Sequence, residues 1–416
     1  MRLLDCNDAS LRLWNEDEAL WSPGIAWFTE GQYRFGEPAW LQARRAPREI
    51  NNRFWHRLST QPLSPALGPA RHTADLVHAH LEALLGDGND DLTLAIPGAM
   101  ESGQLSLLLG ILQTLPVTAS SVVHRSALVG AATGQSCAHV ELQLHQASIT
   151  LVTVENQVAQ AGDTQVLPGH GLLGLMDEIA ERIGEQFVTQ TRFDPQRRAE
   201  TEQTLYQQIP DLLRSLAIQS EISCTVEGHT ARITADALRP VGDAFTRALA
   251  PLLPAAPQHI ALDSLLSALP GLALPHDHTE TGPEVVPAIA QTMALPEGAL
   301  HFQREAPCGI VVEGSNIGSA KPDVASESPS NTEVKADQEQ TPLPATHQLV
   351  AGCATPLSPG AHIAEGAVIS GPAELSIESG TSVQLNGQPA EGVISLSAGD
   401  QLTAAGVEVL FIAVEP

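Results

Sequence analysis

The chain has 416 residues, a formal net charge of −27 and 43% hydrophobic residues. This length suggests two or three domains, and no apolar run reaches the roughly 20 residues that cross a bilayer. The negative charge argues against nucleic acids and anionic membranes as partners, because both require clustered Lys and Arg. The sequence opens on an apolar strand pattern rather than a basic segment and a cleavage site, so we expect a cytoplasmic location.

Lysine and cysteine usage excludes several kinds of site. The only lysines, Lys321 and Lys335, lie in a segment that we expect to be disordered. A lysine in a folded site, as in a GxxxxGK[ST] loop, a kinase or a Schiff-base enzyme, is therefore not expected. The cysteines show no CxxC pair and no histidine at a zinc spacing, so we predict buried, reduced side chains. They are Cys6, Cys137, Cys224, Cys308 and Cys353.

The first predicted element is a hairpin. An apolar strand ends in Asp5, the chain turns through Cys6–Ser10, and a second strand follows to Trp14. Such a turn can place the Asp5 carboxylate beside a metal-bound phosphate. Asp and Asn are also favoured in turns for conformational reasons alone, so the pattern leaves a structural and a functional interpretation of Asp5 open.

Strand and helix patterns alternate through the following residues. Because strands precede a helix twice in succession, we predict an α/β fold. In chain order we predict a strand at 92–97, a helix at 101–115, a hairpin of 140–144 with 147–154, helices at 172–187 and 199–216 with a possible kink at Pro210, strands at 226–234 and near Ile260, and a helix at 241–250.

Composition changes sharply after Gly314. The next residues are rich in Ser, Pro, Asn, Thr and acidic side chains and have few large apolar ones, which predicts a disordered linker. The remainder shows short apolar alternations separated by turn residues, which predicts a small all-β sandwich. We therefore divide the chain into a first lobe (1–133), a second lobe (134–314), a linker (315–347) and a β module (348–416).

The order of these elements resembles the actin and heat-shock-chaperone ATPase superfamily over roughly residues 1–300. Leu3-Leu4-Asp5 is similar to the first phosphate loop of that family, and residues 92–97 are similar to its strand that is ended by proline. Residues 121–130 resemble the segment that connects its two lobes, and residues 167–171 resemble the glycines that open a long helix. The resemblance implies a two-lobed fold that binds ATP and Mg²⁺, with Asp5 orienting a metal-bound water. It also implies nucleotide contacts for a set of five residues: Asp5, Asn7, Ser10, Gly169 and Gly171.

Several positions depart from that family. Its second phosphate loop has the form Asp-x-Gly-Gly-Gly-Thr, so that bare backbone amides approach the phosphates, whereas 141–148 contains no glycine. The adenosine-binding strand corresponds to 259–271, where the only glycine comes after the turn. We therefore predict a degenerate pseudo-ATPase, more a protein-interaction scaffold than an enzyme. The alternative is an active ATP-hydrolysing chaperone with Asp5 as its catalytic residue.

A second alternative rests on the GxGxxG pattern of Gly169 to Gly174. This pattern and Asp194, about twenty residues further on, outline a dinucleotide site, which would make the protein an NAD-dependent oxidoreductase. That site requires a tight turn from strand to helix. The predicted strand at 147–154 is separated from the glycines by 157–168, so the spacing disfavours this alternative.

Two further features concern protein partners. Every tryptophan lies between Trp14 and Trp55, which predicts either an aromatic core or a partner-binding aromatic patch. In the β module, 383–411 resembles the closing strands of forkhead-associated domains, which bind phosphothreonine through upstream Arg and Ser residues. Because 348–382 contains no arginine, we expect protein docking rather than phosphopeptide recognition.

Overall fold

The computed structural model describes residues 2–15, 18–86, 91–253, 259–293 and 300–308, together with short segments between 347 and 412. Most of the predicted linker lies outside the described residues. The chain divides into two compact units, Met1–Lys321 and Pro322–Pro416. The fold is mixed α/β. Among the described residues, no helix is both long and apolar enough to span a membrane.

Residues 2–133 begin the first unit, and their described part contains strands of one large sheet, a small three-stranded sheet, a small two-stranded sheet and four α-helices. The apolar runs form the buried strands, and the helices follow them. In chain order, the described elements are β1 (Arg2–Asp5), β2 (Arg12–Trp14), β3 (Ala19–Trp21), β4 (Ala26–Thr29), β5 (Gln32–Phe35), α1 (Glu37–Trp40), β6 (Ile50–Asn51), β7 (Pro62–Leu67), β8 (Ala70–His72), α2 (Thr73–Leu85), β9 (Asp91–Ile96), α3 (Ser102–Leu112), β10 (Thr118–His124) and α4 (Arg125–Thr133).

The rest of the first unit begins with two long antiparallel strands and continues with helices on either side of a small hairpin. The described elements are β11 (Cys137–Leu142), β12 (Gln146–Glu155), β13 (Val158–Pro168), α5 (Leu172–Thr191), α6 (Ala199–Ile218), β14 (Glu221–Val226), β15 (His229–Thr234), α7 (Ala235–Leu249), β16 (His259–Asp263), α8 (Ser264–Ser267), β17 (His278–Thr281), α9 (Val285–Ala290), β18 (Phe302–Gln303) and β19 (Glu305–Pro307).

The two large sheets of this unit repeat one topology. The first has the strand order β18-β10-β9-β1-β2-β3 and the second β17-β16-β11-β12-β13-β19. In the first, β1, β2 and β3 form an antiparallel meander, and β9 and β10 extend it in parallel. In the second, β11, β12 and β13 form the meander, and β16 and β17 the parallel extension. Strands β1 and β11 are therefore topologically equivalent, and so are the loops that follow them.

Helices α4 and α9 join the two sheets. One buried cluster contains side chains of both helices together with Leu3 of the first sheet and Val152 of the second. Helix α4 is made largely of small residues, and a Cβ added to Gly130 would lie closer than 3.0 Å to the Val152 side chain. Small residues therefore let α4 approach the second sheet closely. This packing fixes the position of Arg125, the first residue of α4.

Most predicted elements of this unit agree with the structure, with differences at their ends. The predicted strand at 226–234 is instead a hairpin of β14 and β15, which turns at Glu227 and Gly228 with φ angles of 50° and 79°. Helix α7 begins at Ala235 rather than 241, because the Thr234 hydroxyl caps it by accepting a hydrogen bond from the Ala237 amide at 3.2 Å. Helix α6 continues through Pro210.

Cysteine burial agrees with the sequence prediction at three positions. Cys6, Cys137 and Cys224 are buried and unpaired, whereas Cys308 is partly exposed. The side chain of Cys353 lies outside the described residues. The buried thiols pack among apolar neighbours, as expected of small apolar residues.

The second unit is described in segments that form antiparallel β-structure. The described strands are β20 (His347–Val350), β21 (Cys353–Pro356), β22 (His362–Ala364), β23 (Ala367–Gly371), β24 (Glu374–Ile377), β25 (Val383–Leu385), β26 (Gln388–Pro389), β27 (Gly392–Ser395), β28 (Gln401–Ala404) and β29 (Val407–Ile412). These strands belong to two sheets, of orders β21-β20-β29-β28-β25-β26 and β22-β23-β24-β27, which share one buried cluster including Leu375 and Phe411.

Candidate functional site

The equivalent loops after β1 and β11 meet and are joined by hydrogen bonds. The Asn7 side-chain amide donates to Glu141 Oε1 at 2.9 Å and to the Leu142 carbonyl at 3.1 Å. In the opposite direction, the Leu144 amide donates to Asp8 Oδ1 at 2.8 Å. Asn7 and Asp8 are buried. These side chains therefore hold the two loops together.

Arg125 lies beside this junction and contacts three carboxylates. Its Nε is 3.1 Å from both oxygens of Asp5, and its Nη1 is 3.2 Å from Asp263 Oδ1 and 3.5 Å from Glu141 Oε1. Arg125 is 3% exposed, and Asp5 and Glu141 are each 1% exposed. A fixed cation therefore takes the place beside Asp5 where the family resemblance implies a metal-bound water.

Burial and Arg125 act in opposite directions on the pKa values of these carboxyl groups. Burial raises the pKa of Asp5 although Arg125 opposes the shift, and it raises the pKa of Glu141 to about 8. For Asp263, burial is outweighed by Arg125 and His139, which lower the pKa to about 2. Burial therefore favours the protonated form of Glu141, whereas Asp263 stays ionised and balances part of the Arg125 charge.

Phosphates would require free backbone amides at the two loops, but several of these amides already donate to protein acceptors. The Leu142 amide donates to Asp263 Oδ2 at 3.0 Å, and the Ala9 amide donates to Asn7 Oδ1 at 3.0 Å. The Ser10 amide donates to the Asn7 carbonyl at 3.1 Å. In the described part of the chain, no group of three His, Cys, Asp or Glu residues could hold a metal ion. The Leu142, Ala9 and Ser10 amides are therefore already occupied by protein acceptors in this arrangement.

A cavity of about 450 Å³ opens next to the junction. Ser10 lines it, together with Arg12, Arg125 and Asp263, and Trp21 and Trp40 form part of its wall. The rings of Trp21 and Trp40 meet edge to face, with centroids 6.3 Å apart. The cavity thus combines charged groups with aromatic surface, which is the usual composition of a small-molecule site.

Gly169 and Gly171 lie away from this cavity. Gly169 lines a different cavity of about 610 Å³ that also includes His145, and its amide donates to the His145 carbonyl at 3.1 Å. A Cβ added to Gly171 would lie closer than 3.0 Å to the backbone of His145 and Gln146. The glycines therefore allow the start of α5 to pack against the loop between β11 and β12. The structure brings Asp5, Asn7 and Ser10 together in one loop, and it places these two glycines elsewhere.

The strand before the GxGxxG pattern is β13, which ends at Pro168, directly before Gly169. The expectation that residues 157–168 separate strand and glycines is therefore wrong, and the turn is tight. However, β13 is antiparallel to both of its neighbours, whereas a dinucleotide site is built on a parallel βαβ unit. Asp194 caps a short 3₁₀ helix by accepting from the Gln196 amide at 3.0 Å. The context of a dinucleotide site is missing here.

Ser126, His139 and Asp263 form a chain of side chains that resembles a hydrolase triad. The Ser126 hydroxyl is 2.9 Å from His139 Nδ1, and His139 Nε2 is 3.7 Å from Asp263 Oδ1. Ser126 and His139 are both 0% exposed, so a substrate cannot reach the hydroxyl. His139 Nε2 has no hydrogen-bond partner among the described residues, so the three side chains do not form a continuous hydrogen-bonded chain.

The sequence prediction missed Arg125, His139 and Asp263. Arg125 directly follows one apolar strand, and Asp263 is the last residue of another. Both residues therefore lie at the carboxyl ends of strands, where α/β sheets usually place their functional polar groups. That position was the available signal. No protein-family model matches the chain, and the curated proteins include no significant match to its sequence.

Proposed function

We propose that this protein is a non-catalytic, protein-interacting scaffold built on a degenerate actin- and chaperone-type ATPase fold. Two observations support the fold assignment: the two sheets share one topology, and their equivalent loops meet at a single junction. The observation that carries the functional proposal is the placement of Arg125 among Asp5, Glu141 and Asp263.

The energetic argument concerns what ATP would have to displace. Opening the junction separates Arg125 from buried carboxylates, and breaking a buried ion pair costs about 3–5 kcal/mol. It also leaves Asn7 and Glu141 without the hydrogen bond that joins them. A nucleotide that binds with millimolar affinity supplies only about 4 kcal/mol. The closed junction therefore favours a protein that does not cycle with ATP.

A surface for protein partners is available at the edge of the first sheet. Strand β3 is the outermost described strand of that sheet, and it exposes Leu20 at 47% and Trp21 at 38%. An exposed edge strand can pair with an extended segment of another protein. Of the two interpretations of the tryptophans, Trp55 supports an aromatic core, because it is buried, and Trp21 supports a partner-binding surface.

Calorimetric titration of Mg·ATP tests the nucleotide part of this proposal. We expect no saturable heat at millimolar nucleotide for the wild-type protein. Asp163, a fully exposed aspartate of the same chain, provides the control variant Asp163→Asn. The active ATPase chaperone would be supported instead if the protein binds Mg·ATP and this binding is lost in Asp5→Asn but retained in Asp163→Asn. The isosteric amide keeps the shape of Asp5 and removes only its charge.

Affinity capture tests the scaffold part. We expect the tagged protein to retain the same partners with and without Mg·ATP, and Leu20→Ser to lose those that bind the β3 edge. The matched control is Val188→Ser on α5, which removes a side chain of similar exposure, 45%, far from that edge. Equal capture by both variants, or capture that requires ATP, would contradict the proposal.

A further inference from the structure

The cavity beside the junction is lined by an arginine whose Nε atom lacks an acceptor. Arg12 lines the cavity, and its Nε is buried with no hydrogen-bond partner in the described part of the chain. Its guanidinium carbon lies 6.0 Å from the ring centroid of Trp14, which fixes the side chain on one side. A buried charged donor without an acceptor costs free energy, which an anionic ligand would recover.

The other two arginines of the cavity already have carboxylate partners. Arg125 contacts its three carboxylates, and Arg214 pairs with Asp211 at 2.6 Å. Three arginines and two carboxylates, Glu37 and Asp263, line the space, so the lining has one more cation than anion, within a chain whose net charge is −27. Because Arg12 is the lining arginine whose Nε has no acceptor, the site suits a ligand with a single negative charge.

The remaining wall is apolar and partly aromatic. Arg12 and Trp21 are directly paired across β2 and β3, which places the free cation next to the exposed tryptophan. Trp40, Met176, Leu172 and Leu265 continue the apolar wall. The volume of about 450 Å³ lies in the range of roughly 300–1,000 Å³ of small-molecule sites. A planar apolar group can stack on these surfaces while its charge reaches Arg12.

We propose that this cavity binds a small aromatic monocarboxylate, whose carboxylate pairs with Arg12 and whose ring packs against Trp21 and Trp40. This inference goes beyond the scaffold function and does not depend on it, because it concerns a ligand other than a nucleotide. A guanidinium fork matches a carboxylate in a bidentate geometry. The net charge of −27 on the chain disfavours more highly charged anions.

Phenylacetate, with phenylacetamide and acetate as matched probes, tests this site by calorimetry on the full chain. We expect one phenylacetate per chain, and affinity at least about ten-fold weaker for the neutral amide, because the charge-assisted hydrogen bond is lost. Acetate, which lacks the ring, should also bind at least about ten-fold more weakly. Equal binding of acid and amide, or no saturable binding of phenylacetate, would overturn the proposal.

Variants separate the two halves of the site. Arg12→Gln should weaken phenylacetate binding about ten-fold or more and abolish the preference over the amide. Trp21→Leu, on the partly exposed rim, should weaken acid and amide alike, and it keeps the test valid if Arg12→Gln does not fold. The matched control is Arg34→Gln, because Arg34 also lies over a tryptophan, Trp27, at 5.7 Å but outside the cavity. An Arg12→Gln protein that folds and binds phenylacetate normally would refute the assignment, as would a Trp21→Leu protein with unchanged affinity.

Discussion

Replacing Arg125 with methionine is the perturbation that most strongly tests the junction. The substitution keeps a long apolar side chain and removes the charge that faces Asp5, Glu141 and Asp263. Because these groups are buried, removing one partner leaves uncompensated charge, which costs about 3–5 kcal/mol of unfolding free energy at pH 7. The matched control Arg182→Met breaks an exposed pair with Glu185, whose side chains are 43% and 54% exposed, and should cost less than about 1 kcal/mol.

The cost should depend on pH in a defined direction. Arg125 lowers the pKa of Asp5, Glu141 and Asp263, so removing it should let the folded variant bind more protons than the folded wild type between pH 5 and pH 7. Protonation relieves the unpaired negative charge as the pH falls, and the penalty of Arg125→Met should therefore shrink by about 1 kcal/mol per pH unit on going from pH 7 towards pH 5.

Urea unfolding followed by tryptophan fluorescence reports on the unfolding of the first unit, because all five tryptophans lie in its first 55 residues. Arg125→Met and Arg182→Met are compared with the wild type at each pH. If Arg125→Met costs no more than Arg182→Met at pH 7, Arg125 does not hold the junction together and the reasoning is refuted. A penalty that grows towards low pH would contradict the assigned charges.

Two further predictions concern Glu141 and Gly171. Burial raises the pKa of Glu141 to about 8, so the unfolding free energy of the wild type should fall by about 1 kcal/mol per pH unit between pH 5.5 and 7.5 through this group. Glu141→Gln should remove this pH dependence, as measured by urea unfolding. The same pH dependence in the variant and the wild type would contradict the prediction. Gly171→Ala should lower the unfolding free energy by about 1–3 kcal/mol, because the added Cβ meets the backbone of His145 and Gln146. The control is Gly110→Ala in α3, where the glycine has open space around it and alanine should stabilise the protein by about 0.5–1 kcal/mol. Equal thermal shifts for the two alanine variants would show that Gly171 is not a packing requirement.

Local patterns predicted much of the first unit. The apolar runs and the proline after Ile96 identified β9 and α3, and the alternation in 140–154 identified the β11–β12 hairpin. The start of α7 could not be read in the same way, because Pro240 suggests a break. The Thr234 cap places this proline in the second turn, where only the early carbonyl of Asp236 loses its intrahelical donor.

The centre of the candidate site was less predictable. Asp5, Asn7 and Ser10 are close in sequence, so a turn prediction was enough to group them. The contacts of Arg125 with Asp5 and Asp263 join residues 120 and 138 positions apart. No local periodicity carries such a pairing, and only the packing of α4 between the two sheets creates it. Conversely, the GxGxxG pattern is a purely local signal, and in the structure Gly171 of this pattern allows α5 to approach the loop between β11 and β12 closely.

The most direct test of the closed junction is amide hydrogen exchange at Leu142 and Leu144, with and without millimolar Mg·ATP. These amides donate to Asp263 and Asp8, so the account predicts slow exchange in the free protein and no change when the nucleotide is added. Rapid exchange in the free protein, followed by protection on addition of Mg·ATP, would show that the two loops are open to phosphate and would contradict the account.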